Sequence, residues 1–182
     1  VTDSGVVAQT GTRGLSIQIL AHALGRNDTI ATATPISNGT MVASISPFSD
    51  PSNPAPDSDY YVLTANPGAL VSVSVLAKRI SNFSPLDSVL EIVDASGTRF
   101  TTCKDPVQAF LRAPAVVDPN PNDFNNSCIN DDDPNTGTTD SDLQFQVPGT
   151  SGPAVTFYLH VLDYRGDARP DMAYQLQVSG AN

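Results

Sequence analysis

Between residues 69 and 77 the chain reads ALVSVSVLA, with Val and Ser taking alternate places. Side chains on a strand point to opposite faces in turn, so this pattern predicts a strand with one dry face and one wet face. Residues 86–93 (LDSVLEIV) instead carry a nearly unbroken apolar run, opened by Ser84-Pro85 and closed by Ser96-Gly97. Pro pre-sets a turn and Gly supplies backbone freedom at the far end, so this run is predicted to be a buried strand with Asp87 at its mouth. Alternation recurs at residues 41–46, 59–64, 143–147, 154–162 and 172–178. Residues 98–102 (TRFTT) read as a short partner of the buried strand across Ser96-Gly97. Residues 15–24 (LSIQILAHAL) are apolar over too short a stretch to separate a strand from a short amphipathic helix.

Turn signals punctuate these runs at Asn38-Gly39, Asn66-Pro67-Gly68 and Pro148-Gly149, and nothing between them predicts a long helix. Eight or nine short strands joined in this way predict an all-β fold, an antiparallel β-sandwich of jelly-roll type with long acidic loops. Residues 25–182 are expected to form that domain. Residues 1–24 are expected to be a leader, a linker or an N-terminal arm. The sequence opens on Val1 without a Met, which suggests a mature or excised piece of a longer protein.

Charge narrows the function. The 182 residues hold 19 acidic and 9 basic side chains, a formal charge of -10. Phosphates reward Lys and Arg, so nucleic acid and anionic membrane surfaces are poor partners for such a chain. No apolar run approaches the roughly 20 residues of a membrane-spanning helix.

The long polar segment 103–140 contains an apolar patch at residues 107–117 and both cysteines, Cys103 and Cys128. Such a pair predicts one disulfide stapling a loop in an oxidising compartment. Two free thiols in a cytosolic protein are the alternative, and the Lys-poor, loop-rich composition favours the staple. The same segment carries the densest run of acids, Asn130-Asp131-Asp132-Asp133, followed by Asp140 and Asp142. An EF-hand is excluded because Gly137 comes one place late, Pro134 interrupts the loop and no helices flank it. Acids this dense repel one another unless solvated or bridged by a cation, so Ca²⁺ is one expectation and a hydrated acidic loop the other.

Four landmarks stand in order: Asn27-Asp28-Thr29 with ATATPI, Asp59-Tyr60-Tyr61, Pro85-Leu86-Asp87-Ser88-Val89-Leu90, and YRGDARPDMAY at residues 164–174. In this order and spacing they resemble the bacterial pre-peptidase C-terminal domain family, which is similar to the collagen-binding domains of clostridial collagenases. The resemblance covers residues 25–182. It implies a secreted, non-catalytic β-sandwich appended to peptidases and other exported enzymes, often binding calcium. In its collagen-binding members the calcium site uses a Glu-x-Glu-x-Asn-Asp run and acids just before the Tyr-Tyr strand. Asn27, Asp28 and Asp59 match that pattern, and Asp57 stands in for another loop acid at a spacing one residue off. Ala23 and Gly25 occupy the places of the two glutamates. In domains of this subtype an Asn-Asp-Asp run and an Asp-Ser pair, here Asp140-Ser141, follow the Leu-Asp-Ser strand. Asp87 would face that run, within Asn130-Asp131-Asp132-Asp133, and the Asp140-Ser141 pair if the loop folds back.

Other chemistry is sparse. His160 falls on the Thr156-Tyr158-His160 face of its strand, opposite the more apolar Val155-Phe157-Leu159-Val161 face, and is expected on a partly covered polar surface. No G-x-S-x-G elbow is present to activate a serine, and no catalytic constellation assembles. Arg165-Gly166-Asp167 is an adhesion tripeptide in a predicted hairpin loop, although the family resemblance accounts for the same residues as structure. The expected function is a non-catalytic accessory domain of a secreted bacterial protein, with Ca²⁺ as its cofactor. It would bind an extracellular protein or polysaccharide polymer on a Tyr-lined sheet face, or aid export and stability of its parent. The alternative is a structural spacer whose only partners are neighbouring domains of the parent chain.

Overall fold

The computed structural model describes residues 27–45, 57–80, 84–104, 124–133, 137–169 and 171–182. The expected leader or arm at residues 1–24, the ambiguous run 15–24 and the apolar patch 107–117 lie outside these residues.

After a single 3-10 turn at Ile30–Thr32 the described chain forms ten strands. They are β1 (Thr34–Pro35), β2 (Gly39–Ser44), β3 (Asp59–Ala65), β4 (Leu70–Leu76), β5 (Ser88–Val93), β6 (Cys103–Lys104), β7 (Ile129–Asn130), β8 (Ser141–Gln146), β9 (Val155–Asp163) and β10 (Ala173–Ser179). One sheet runs β1-β3-β9-β5-β7 and the other β2-β10-β4-β8-β6. The pairs β2·β10, β3·β9, β4·β8 and β5·β7 are all antiparallel. They are nested like one long hairpin wound round a barrel, so successive pairs fall alternately in the two sheets. That winding is the jelly roll. The two-residue strands β1 and β6 are additions at the sheet edges, β1 parallel to β3 and β6 antiparallel to β8.

Each of the seven longer strands lies within a residue or two of a run that the hydrophobic pattern predicts. On β4, Val71, Val73 and Val75 are fully buried while Ser72 and Ser74 face outward. Phe157, Leu159 and Val161 of β9 meet them from the other sheet as part of one core. Phe145 sits between Phe100 and Phe157, with ring centroids 5.0 and 5.2 Å away. β5 is the exception that its unbroken apolar run foretells. Leu90 and Ile92 are buried inward, and Val89 and Val93 are buried on the opposite face.

The stretch 98–102 meets expectation as far as Phe100 and departs from it beyond. Arg99 makes one isolated bridge back to Val93, but the next strand begins only at Cys103 and pairs with Phe145 and Gln144 in the other sheet. The Asp94 amide donates to the Thr98 carbonyl at 2.9 Å and the Phe100 amide to the Ile92 carbonyl at 3.1 Å, so residues 98–100 run back along β5. Phe100 turns inward against Phe145, and beyond it the chain crosses to the other sheet. The disulfide expected between Cys103 and Cys128 is present, with both residues fully buried. Cys103 belongs to β6, at the edge of one sheet, and Cys128 immediately precedes β7, at the edge of the other. The bond therefore closes the sandwich along that side. Closing its 25-residue loop stabilises the fold by about 3.5 kcal/mol in the chain-entropy treatment.

Candidate metal centre

Acids collect at one pole of the sandwich because strand ends do. Antiparallel winding brings the starts of β3, β5 and β8 to the same pole as the ends of β7 and β9. The inward positions nearest that pole are polar: Asp59, Ser88, Ser141 and Asp163 are all buried. The loops that leave the pole bring Asp87 and the 131–133 run.

There the carboxylates of Asp87, Asp131 and Asp132 lie with their oxygens within 4.8 Å of one another. The loop after β7 does fold back on the mouth of β5, and a serine pair holds it. The Ser88 and Ser141 hydroxyls are 2.9 Å apart, and the Ser141 hydroxyl lies 2.5 Å from the Ser88 carbonyl and 3.3 Å from the Asp131 carbonyl. Asn130, buried next to Asp131, accepts from the Asp142 amide at 2.9 Å and donates to the Asp132 carbonyl at 3.1 Å. Asp163 fixes the other wall, since one of its oxygens accepts from the Asp87 amide at 3.1 Å. Its other oxygen accepts from the amides of Arg165 and Asp167 at 3.0 and 3.1 Å.

Electrostatics at the trio is strained in the sense that favours a cation. One oxygen of Asp131 is buried and accepts no hydrogen bond. Burial, then the charges of Asp132 and Asp87, push the Asp131 carboxyl up to about 6. Burial also raises Asp87, with Arg165 opposing and Asp132 and Asp163 adding to the rise. A desolvated carboxylate beside two others, with an oxygen left unpaired, matches the hard-oxygen donor set that Ca²⁺ takes, the remaining ligands coming from carbonyls and water.

The other sequence-predicted acids have different surroundings. Asp140 is fully buried and its two oxygens accept from the amides of Ala77, Lys78 and Arg79 and from Arg79 Nε, at 2.7, 2.7, 3.3 and 2.6 Å. These donors hold its carboxyl below the usual range against the effect of burial. Asp140 is thus the anchor of the turn after β4. Asp133 lies 3.6 Å from Arg79 Nη1 and bridges to Thr138. Asn27, Asp57 and Asp59 are buried at the same pole, while Asp28 is half-buried. The Asn27 side chain donates to the Tyr60 carbonyl at 3.0 Å, and the Tyr60 amide donates to the Asn27 carbonyl at 2.8 Å. Asp59 accepts from the hydroxyls of Tyr61 and Tyr174, which are themselves 2.6 Å apart. Among the described residues Asp28, Asp57 and Asp59 do not converge as the Asp87 trio does.

His160 lies on the outward face of β9, half-buried, where it stacks on Tyr60 with ring centroids 4.1 Å apart and meets Glu91 at 2.9 Å. Arg99 also binds Glu91, and these partners hold the Glu91 carboxyl below its ordinary value. Sequence reasoning missed Asn130 and Asp163 as the residues that shape the site. Asn130 was read only as the first residue of the acidic run, and Asp163 only as the residue that follows the alternation at 154–162.

Fold and site together describe an all-β jelly-roll sandwich with an acidic pole. No family model and no curated protein matches the chain. Among solved structures it is similar to the pre-peptidase C-terminal domain of collagenase from Bacillus anthracis, with a TM-score of 0.43 and 15% identity, covering 81% of this chain and 94% of that one. None of the described helices is long and apolar enough to cross a membrane.

Proposed function

We propose that this chain is a non-catalytic accessory module of a secreted protein, stabilised by a divalent cation of the calcium type. Asp87, Asp131 and Asp132 would hold the ion. The observation that carries the reading is the buried, unpaired oxygen of Asp131 inside a trio of carboxylates. Bound there, the ion would offset two of three mutually repelling negative charges and tie the loop after β7 to the mouth of β5. The disulfide supports an oxidising, extracellular setting. The non-catalytic part of the reading rests on where the reactive groups point. The Ser88 and Ser141 hydroxyls engage each other and backbone carbonyls, and His160 is committed to Glu91 and Tyr60 on a different face.

The outward face of the β3-β9-β5 sheet is the proposed polymer-binding surface. Tyr60, His160 and Glu91 form one row across it, and Val62 and Tyr158, beside the buried Val93, the next. Stacked rings backed by aliphatic side chains suit an extended protein or polysaccharide strand. Calorimetric titration of the metal-free chain with CaCl₂, in parallel with MgCl₂, tests the metal part. Saturable binding of one Ca²⁺ that Asp131→Asn abolishes is expected, and no heat at millimolar Ca²⁺ refutes it. Retention on immobilised collagen or insoluble polysaccharide tests the surface. Binding that survives Tyr60→Ala with Tyr158→Ala refutes the sheet-face role, and no retention on any such polymer leaves the module a spacer.

A further inference from the structure

The structure assigns Arg165 a role at the Asp87–Asp131–Asp132 centre: it is the protein's own competing cation, which a divalent ion must displace from Asp87 in order to bind. The inference rests on the calcium reading of that centre. Among the described residues Arg165 is the only cationic side chain within salt-bridge distance of the trio, its Nη2 standing 3.2 Å from Asp87 Oδ2. The Asp87 side chain is only 13% exposed, whereas that of Arg165 is 67% exposed, so the guanidinium reaches the acid from the solvent side. Lys78 also acts on Asp87 through its charge, but its ammonium is bonded to the Ser84 carbonyl at 3.0 Å.

The turn that carries Arg165 is fixed independently of its side chain. Asp163 holds the amides of Arg165 and Asp167, the Gly166 amide donates to the Asp163 carbonyl at 3.0 Å, and the Tyr164 amide donates to the Asp87 carbonyl at 2.7 Å. Gly166 takes a left-handed conformation, φ +71°, that closes the turn. Only the Arg165 side chain therefore needs to move, by rotamer changes on a rigid backbone. A dication among the three carboxylates would take up oxygens of Asp87 and cut the local charge from -3 to -1, which weakens the hold of the site on the guanidinium at Asp87 Oδ2. Released, Arg165 stands in an exposed turn beside Tyr164, whose ring is the most exposed large apolar group among the described residues at 64%. Metal and any anionic group that captures Arg165 would then strengthen each other's binding, because both draw the guanidinium away from Asp87.

The test is Ca²⁺ titration of the full chain as wild type, Arg165→Gln and Arg169→Gln. Arg169 carries the same charge a few residues on, is exposed, and pairs with Asp171 instead. Loss of an exposed competitor is expected to tighten Ca²⁺ binding by roughly two- to five-fold in Arg165→Gln and to leave Arg169→Gln unchanged. In the wild type, saturating Ca²⁺ is expected to speed modification of Arg165 by phenylglyoxal, read by peptide mass mapping. Equal or weaker Ca²⁺ binding in Arg165→Gln overturns the proposal, as does a similar gain in both variants, which marks a diffuse charge effect. A modification rate that ignores Ca²⁺ overturns it too. Absence of Ca²⁺ binding in the wild type and in Arg165→Gln alike overturns the metal site itself, and the competitor with it.

Discussion

Replacing Asp131 by Asn should move stability in opposite directions with and without calcium. In the metal-free chain Asp131 is an acid held in the wrong environment: half-buried, beside Asp132 and Asp87, with its carboxyl raised from 3.8 to about 6. Its folded form keeps a proton up to about pH 6, whereas the unfolded chain releases it near 3.8. Between those values the native state binds more protons, so this group's contribution to stability falls as pH rises through the window and stays low above it. At full strength the displacement corresponds to about 3 kcal/mol, and solvent screening at a half-buried site brings it to about 1 kcal/mol. Asn resembles the protonated acid in shape and charge. Asp131→Asn should therefore match the wild type near pH 4 and exceed it by about 1 kcal/mol at pH 7, or about 2 to 4 °C in Tm for a chain of this size. Calcium at about 100 times its Kd would stabilise the wild type by about 2.7 kcal/mol, and the variant should lose that gain. Thermal unfolding followed by circular dichroism at pH 4 and 7, in EDTA and in CaCl₂, measures all four quantities. A variant less stable than wild type in EDTA at pH 7 refutes the repulsion argument. A variant that keeps the full calcium gain refutes the ligand assignment.

Other predictions separate the site from its scaffold. Asp140→Asn should destabilise the fold by about 2 kcal/mol, because Arg79 and three backbone amides lose their charged acceptor, yet leave calorimetric Ca²⁺ affinity within about two-fold of wild type. Reducing the Cys103–Cys128 bond should remove about 3.5 kcal/mol and lower Tm by about 7 to 14 °C, checked by unfolding with and without dithiothreitol. Tyr174→Phe should cost about 2 kcal/mol in urea unfolding, since it takes a hydroxyl from the buried Asp59 and from Tyr61. Gly180→Ala should cost about 3 kcal/mol or prevent folding. Gly180 has φ +85°, and a Cβ there would lie 2.0 Å from the Leu70 carbonyl oxygen.

The sequence by itself determined the seven longer strands. Val and Ser can alternate over residues 70–76 only if one face is dry, and the unbroken run into β5 can only be satisfied by burial on both faces. It also favoured the disulfide over two free thiols, because the chain is Lys-poor and loop-rich, and it determined which loops are acidic. Tertiary structure decided which acids meet. Asp87 and Asp131 are 44 positions apart, and their meeting depends on β5 and β7 pairing antiparallel with a register that places Leu90 opposite Asn130. Asp132 and Asp133 are adjacent in sequence, but the first turns to the trio and the second to Arg79. Asp140 reads like another ligand, yet its depth at the start of β8 delivers it to the turn after β4. Alternation reports which face a side chain takes, a property of its own strand. Which charges become neighbours is set by the pairing of strands distant in sequence, and only the wound sandwich settles that.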